Sequence, residues 1–533
     1  MHDLLKDPLI GIRTSQGTQH VSLPGLLATL SAGRIESYTG LRAHQADPWH
    51  VFLVQLAASI QARHPTDVLP DETDYWRNGL LDLADGVGEA WHLVVEDVTK
   101  PAFLQHPWIG WDQEAADYGV RTSRGKTVFD AKAIRPDELD VLVTAKNHDV
   151  KMARIGAQSP EAWLYALLLL QTTSGFLGQG NYGIVRMNGG FASRSVMAWA
   201  RSPEPASRFV DEVNALRHLR SSVCRDFHYV QRGIVLTWLA PWYRDDHHVD
   251  LCQLEPWFVE AARPIRLYAQ ADGSVFALGA TSEARQIGPK TIDSGDVGDP
   301  WTPINVRDKK KGRSALTLSA DGFTPQRMTD LLFKQGFELT PLQEPQAGDR
   351  PGCFIASCLA RGQGTTAGFH RVEIPVPAKA RIALFNRETR DTLGHLAQNL
   401  LKDAKDVQGA LATALTILME GGPEKADFER AEGWIKAARV QFGRQWEHHF
   451  FPTLWRGAEE SHDAVRLEWQ QRLVDAGQAL LNDAGSCLPL PTNRRWRALT
   501  QSQRVWMGTL KKIALPISGR VAVEPTELQE RFA

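Results

Sequence analysis

The sequence predicts an α+β fold, with a large mixed α/β N-terminal domain over residues 1–380 followed by a C-terminal helical (four-helix) bundle over residues 381–533. Three observations predict it. Before residue 380, short apolar runs separated by turn residues alternate with amphipathic helical stretches. After Pro377 strand signals thin out, and apolar residues recur at three and four. Between the two regimes, near 375–385, Pro375 and Pro377 punctuate the chain.

Taken in order, Leu9–Arg13 and His20–Leu23 pair as a small hairpin with Gln16-Gly17 in the turn. Pro48–Arg63 is a helix. Asp47 suits its cap and Pro48 its first position, and Trp49, Phe52, Leu53, Leu56, Ala57 and Ile60 form one wide apolar face. Asp71–Glu96 carries one or two further helices. Ser159–Thr172 is capped by Ser159, with Trp163, Leu164, Leu167 and Leu168 as its buried set. From Thr173 to Arg194 the chain becomes glycine-rich and loses periodicity. Phe209–Leu219 is a short helix and Tyr229–Ala240 a strand. Ile265–Ala269 and Val275–Leu278 make a second hairpin, turned at Ala271-Asp272-Gly273, and Asp293–Arg313 is a loop. Cys353–Leu359 and Phe369–Val376 frame a third hairpin, whose polar tip holds Gly362, Gly364 and Gly368. The bundle is assigned to Ala380–Val407, Gly409–Glu420, Lys425–Phe450, His462–Leu481 and Thr500–Lys512.

Composition narrows the function classes. A net charge of -2 is far from the strongly basic balance of an isolated DNA-binding module. Nucleic-acid contact therefore has to come from local patches, or from a basic partner that neutralises most of the phosphate. The five cysteines (Cys224, Cys252, Cys353, Cys358 and Cys487) are scattered and odd in number, and form no CxxC. That pattern fits a reducing compartment and no structural zinc. The start, MHDLLKDPLIGIRT, is not a signal-peptide pattern, and the longest apolar stretch, Ala162–Leu170, is too short to span a bilayer. The expectation is a soluble cytoplasmic protein without a membrane contact. Tryptophan is in excess, 17 against 8 tyrosines, and most of it is expected as core anchors.

Enzyme signatures are missing: no GxxxxGK[ST], no GxSxG, no HExxH. Asp245-Asp246-His247-His248 has metal-ligating side chains but no partner ligands at set distances, which fits a polar loop better. Glu447-His448-His449 lies on a helix, where adjacent side chains diverge, and Ser461-His462-Asp463 suits a helix start. Gly178, Gly180 and Gly183 satisfy GxGxxG spacing, but the run follows a helix where a dinucleotide loop must follow a strand. Without Cβ atoms, its backbone can approach a bulky partner closely, and Asn181, Tyr182, Arg186 and Asn188 add donors and a stacking ring. On composition a nucleic-acid groove and an irregular packed loop fit equally.

Several segments, in this order, resemble the large subunit (CasA) family of type I-E CRISPR Cascade surveillance complexes. They are LLKDPLIGIR, Pro101–Gln105, Thr144–Lys151, the Gly175–Gly183 run, Met187–Gly190, Arg361–Gly364 with Gly368-Phe369-His370, and the helix ending Gln445–Phe450. The resemblance implies a non-enzymatic, antiviral-defence subunit that needs no cofactor; some members carry a mid-chain cysteine cluster for zinc, this chain departs from them, and no metal is expected. Its partners would be guide RNA, the other Cascade subunits, double-stranded target DNA and a recruited helicase-nuclease that does the cutting. It would recognise the short duplex element beside the target (the PAM) from the minor groove and wedge the duplex open for R-loop formation. Carried over by position, Thr144–Gln158, with Lys146, His148 and Lys151, would meet the guide and neighbouring subunits. Asn147, Gly175, Gly178, Gly180 and Lys290 would lie at the PAM, and Gln363, Thr365, Thr366 and Ala367 would form the wedge.

This chain departs from the family at the tip, where Thr366 and not a glutamine precedes Ala367, so Gln363 and Thr366 both stand as the wedging residue. Lys290 equally suits a solvated surface, and the basic run Arg307–Arg313 either steers duplex DNA or is a solvated loop. Two other function classes stay open: a metal-dependent nuclease using Asp245–His248, and a scaffold that makes no DNA contact.

Overall fold

A computed structural model describes residues 2–108, 129–140, 159–173, 183, 186–187, 193–242, 248–280, 286–288, 294–307, 312–348, 350–362, 365–487 and 491–513. The fold is mixed α+β and divides into two compact units. Met1–Phe323, Lys334–Gln346 and Pro351–Pro375 make the first; Thr324–Phe333, Ala347–Arg350 and Val376–Ala533 make the second.

The first unit begins with the expected hairpin, Ile10–Thr14 paired with Gly17–Val21 in the register Thr14↔Gly17. Helices α1 (Leu23–Ser31), α2 (Ala43–Arg63) and α3 (Thr73–Leu83) follow. α2 is the centre of the core and is buried along nearly its whole length. Trp49 stacks on Phe52, which meets Phe103, and Phe103 meets Trp91 and Trp238. Each such ring removed from water contributes about 1.5–3 kcal/mol, which makes this cluster the main apolar anchor. Among the described residues eleven tryptophans are fully buried, as core anchors should be.

α2 does not begin where Asp47 and Pro48 suggest. It starts five residues earlier, at Ala43, and Gln45 Oε1 accepts from the Arg42 backbone N–H at 3.0 Å. Pro48 therefore lies inside the helix, where it leaves one carbonyl without its helical donor. Asp47 is 2% exposed and serves as an ion-pair hub, not a cap.

α4 (Pro160–Thr173) and α5 (Pro205–Phe227) complete the helical layer. α5 is twice the expected length, because Pro205 opens it and His228, at φ 62°, closes it in a left-handed cap. The expected strand Tyr229–Ala240 shortens to Ile234–Leu236 followed by a 3-10 turn at Thr237–Leu239. The turn swings Trp238 into the core, while Thr237 Oγ1 donates to the Val259 carbonyl at 2.9 Å. The second hairpin is Ile265–Ala269 with Val275–Ala280, and Gly273 takes φ 82° in its turn.

In the second unit, α6 (Pro325–Leu332) and α7 (Ala378–Phe385) accompany four long helices. These are α8 (Arg387–Met419), α9 (Phe428–Arg456), α10 (His462–Ser486) and α11 (Thr492–Lys512). α8 packs against each of α9, α10 and α11, and together they form the bundle. The break expected near Gly409 lies instead at Asn386, whose side chain caps α8 by accepting from Glu388 N–H at 3.0 Å. Gly409 has open space around it and continues the helix, its propensity cost of about 1 kcal/mol offset by packing on the opposite face. Asp403 is buried and takes a two-pronged pair from Arg466, and Trp469 Nε1 donates to the Leu400 carbonyl. Among the described residues no helix is long and apolar enough to cross a membrane.

Candidate nucleic-acid interface

The third hairpin is longer than its apolar runs suggest. Its strands are Gly352–Gly362 and Thr365–Val376, so only two residues link them. The first strand also pairs with Val196–Ala200, from Cys353↔Ala200 to Ser357↔Val196. Residues beyond Ser357 run past the end of that shared partner, and Cys358, Leu359 and Ala360 stay buried there, so the hairpin rests on a three-stranded base. Toward the base the return strand alternates, Ile374 and Val376 buried and Glu373 and Pro375 exposed, as a sheet with one wet face requires. Among the tip positions, Thr366 is half-buried and Ala367 exposed.

Two kinds of contact fix the hairpin. Leu359 and Phe369 form an apolar cluster with Leu169 and Leu170 near the end of α4, and Phe369 also meets His44 edge-on, with ring centroids 6.2 Å apart. Arg371 Nε lies 3.0 Å from Asp47 Oδ2. The same carboxylate receives Arg208 Nη1 at 2.5 Å, Arg208 Nε reaches Glu212 at 2.6 Å, and Trp301 Nε1 donates to Glu212 at 2.6 Å. Burial alone would raise both carboxyls. For Asp47, Arg208 and Arg371 outweigh it and hold the group far below the usual carboxylate range. Arg208 and His50 do the same for Glu212, at about 2. α2, α5 and the hairpin are thus joined by one charged network.

The flanks of the glycine-rich segment are equally constrained. On the α4 side, the Gln171 amide donates to the Leu104 and Arg263 carbonyls at 2.7 and 2.9 Å, and its oxygen accepts from Arg263 N–H at 2.6 Å. On the far side, a Cβ at Gly183 would stand 2.1 Å from the Ala262 carbonyl oxygen, so this glycine serves close backbone packing. Arg186, read from sequence as a donor to a groove, is fully buried. Its Nε pairs with Glu260 at 3.1 Å and its guanidinium lies 3.9 Å above the Phe258 ring. It belongs to a buried set with Glu260, Asp299 and Arg194. The separation of some 70 to 105 residues within this set hides it from any local pattern.

The flanks of the segment expected to meet the guide, residues 144–158, are held as well. His44 Nε2 and Gln45 Nε2 reach buried Asp140 at 2.7 and 2.9 Å, and Ser159 Oγ caps α4 through Ala162 N–H. Beside the hairpin tip, burial lowers the Arg361 guanidinium, and its Nη1 has no hydrogen-bond partner among the described residues. Arg263 is pushed down to about 9, by burial first and by Arg361 second.

Lys146, Asn147, His148, Lys151, Gly175, Gly178, Gly180, Lys290 and Gln363 lie outside the described residues, as do Asp245, Asp246 and His247. What the structure brings together is their flanks: α4, which leads into the glycine segment, and the hairpin share one apolar cluster. His248 is exposed, and among the described residues no group of His, Cys, Asp or Glu is placed to hold a metal. The described arginines of the basic run are committed locally. Arg307 donates to the Gln335 carbonyl and covers Phe337, and Arg313 pairs with Asp296 and Glu338.

Solved structures match this architecture along nearly its whole length. Cse1 from Acidimicrobium ferrooxidans superposes with a TM-score of 0.62 at 14% identity, covering 96% of this chain and 98% of that one. CasA (Cse1) from Thermus thermophilus gives 0.58 at 13%, covering 96% and 99%. This chain has the CasA fold. A chain of a CRISPR RNA-guided surveillance complex gives 0.56 at 13%, covering 95% and 99%. No protein-family model matches the sequence and no curated protein does, so the likeness to CasA lies in the path of the chain.

Proposed function

We propose that the protein is the large subunit of an RNA-guided antiviral DNA surveillance complex. In that role it reads the PAM in duplex DNA from the minor groove, opens the duplex beside it, and recruits the helicase-nuclease that cuts. The observation that carries this reading is the apolar cluster of Leu169, Leu170, Leu359 and Phe369. It holds the helix leading into the glycine-rich segment against the hairpin, so a reader and a wedge can act on one stretch of DNA. Unstacking a base step costs a few kcal/mol. A wedge must therefore be stiff, and the three-stranded base with the Arg371–Asp47 pair supports stiffness. Minor-groove reading is chemically degenerate, so the preference for the flanking element should be relaxed. With a net charge of -2, most phosphate neutralisation falls to partner subunits and guide RNA.

The test is reconstitution with guide RNA and the other subunits, measuring affinity for a target duplex with varied flanking sequence. The reading expects flank-dependent binding that Gly178→Asp abolishes. Flank-independent binding, or a Gly178→Asp complex that binds normally, would overturn it. Metal-dependent cleavage of labelled DNA by the subunit alone would favour a nuclease instead.

A further inference from the structure

A cleft of about 600 Å³ opens in the first unit between the end of α2, the middle of α5 and the turn at Val230–Arg232. Four arginines line it: Arg63, Arg217, Arg220 and Arg232. At its back lies Glu255, fully buried, which receives Arg220 Nη2 and the Arg232 backbone N–H at 2.7 Å, with Arg63 Nε at 3.8 Å. Arg63 also reaches the half-exposed Asp82 at 3.4 Å and donates to the Gly233 carbonyl. The Arg217 and Arg232 guanidiniums make no ion pair or hydrogen bond among the described residues. Four cations thus face two carboxylates, an excess of two positive charges around an open volume. Arg232 itself is held at φ 87°, a conformation that non-glycine residues adopt only when their surroundings impose it. Pro65 and Val230 give the cleft an apolar wall, and Val230 is 39% exposed although large and apolar.

From this geometry we infer that the cleft binds a small phosphorylated ligand of nucleotide size, its phosphoryl groups held by Arg217 and Arg232 and its planar part against Pro65 and Val230. The volume falls within the range of small-molecule sites, about 300–1,000 Å³. Guanidinium forks match phosphoryl oxygens in pairs, and a dianion would balance the excess charge. Arg63 and Arg220, already tied to Glu255, would supply field more than direct bonds. The inference does not depend on the hairpin or the glycine-rich segment.

Calorimetric titration of the full chain with ADP, pyrophosphate and citrate tests it. ADP and pyrophosphate should bind, ADP more tightly, and citrate at least tenfold more weakly than ADP. Arg217→Gln and Arg232→Gln, made separately, should each weaken ADP at least tenfold, and Arg217→Gln should leave the melting temperature unmoved, since its guanidinium is not bonded among the described residues. Arg217→Lys should restore part of the pyrophosphate affinity. No binding of ADP or pyrophosphate, citrate binding as tight as ADP, or unchanged affinity in both glutamine variants would overturn the assignment.

Discussion

Asp47→Ala removes the one carboxylate that joins α2, α5 and the hairpin. Two ion pairs go with it, and they are not equivalent. Arg208 is almost wholly buried and would keep only Glu212. Deleting one partner of a buried pair leaves an uncompensated charge and costs about 3–5 kcal/mol. Arg371 is 31% exposed and retains Glu373 at 2.7 Å, so its share is about 1 kcal/mol or less. Asp47→Ala should therefore cost about 3–5 kcal/mol, a large part of a typical total of about 5–15 kcal/mol. Arg371→Met should cost about 1 kcal/mol. Because the chain has two units, hydrogen exchange is the better assay, read at the amides of Val196–Ala200 and Gly352–Gly362. Asp47→Ala should lower protection in both strands, and Arg371→Met should act mainly on the hairpin. A loss below about 1 kcal/mol in Asp47→Ala, or equal losses in the two variants, would refute the ranking of these contacts.

Glu212 sits at about 2 in the folded chain against an ordinary 4.5. A depressed carboxylate contributes stability that is present above its unfolded value and lost as the pH falls toward its folded one. Stability against heat should therefore fall as the pH is lowered from about 4.5 to 2, by about 3 kcal/mol from this group, and Glu212→Gln should flatten that slope. Gly183→Ala should destabilise the first unit by about 2 kcal/mol or more, because the clash is with backbone at Ala262 and cannot be relieved by a rotamer; denaturant titration followed by tryptophan fluorescence checks it. A thiol reagent at pH 8 should modify exposed Cys252 and Cys487 and spare Cys358, which burial pushes up to about 12; peptide mass mapping reads the outcome.

The hairpins were legible because their turns carry glycine beside polar residues and their arms alternate. The helices were legible from their apolar spacing, although tertiary packing carried α5 and α9 beyond the apolar stretch that announced them. Asp47-Pro48 misled because the pair is an excellent helix start in isolation. Only the contacts with Arg208 and Arg371, 161 and 324 residues away, show why an aspartate lies inside the helix. Arg186 misled for the same reason: an arginine in a glycine-rich stretch reads as a surface donor until Glu260 is brought to it by folding. The order of the segments carried the likeness to CasA where no single motif did, and the shared path of the chain bears that likeness out at the level of fold.

The most direct test is a double-mutant cycle in the assembled complex. Target affinity would be measured for Gly178→Asp, for a hairpin with Gln363 and Thr366 both changed to alanine, and for the combination, on a duplex and on the matching single strand. Joint action on one stretch of DNA predicts a loss of at least tenfold on the duplex for each change, a combined loss well short of their product, and little change on the single strand. Losses that simply multiply, or that are as large on the single strand, would contradict it.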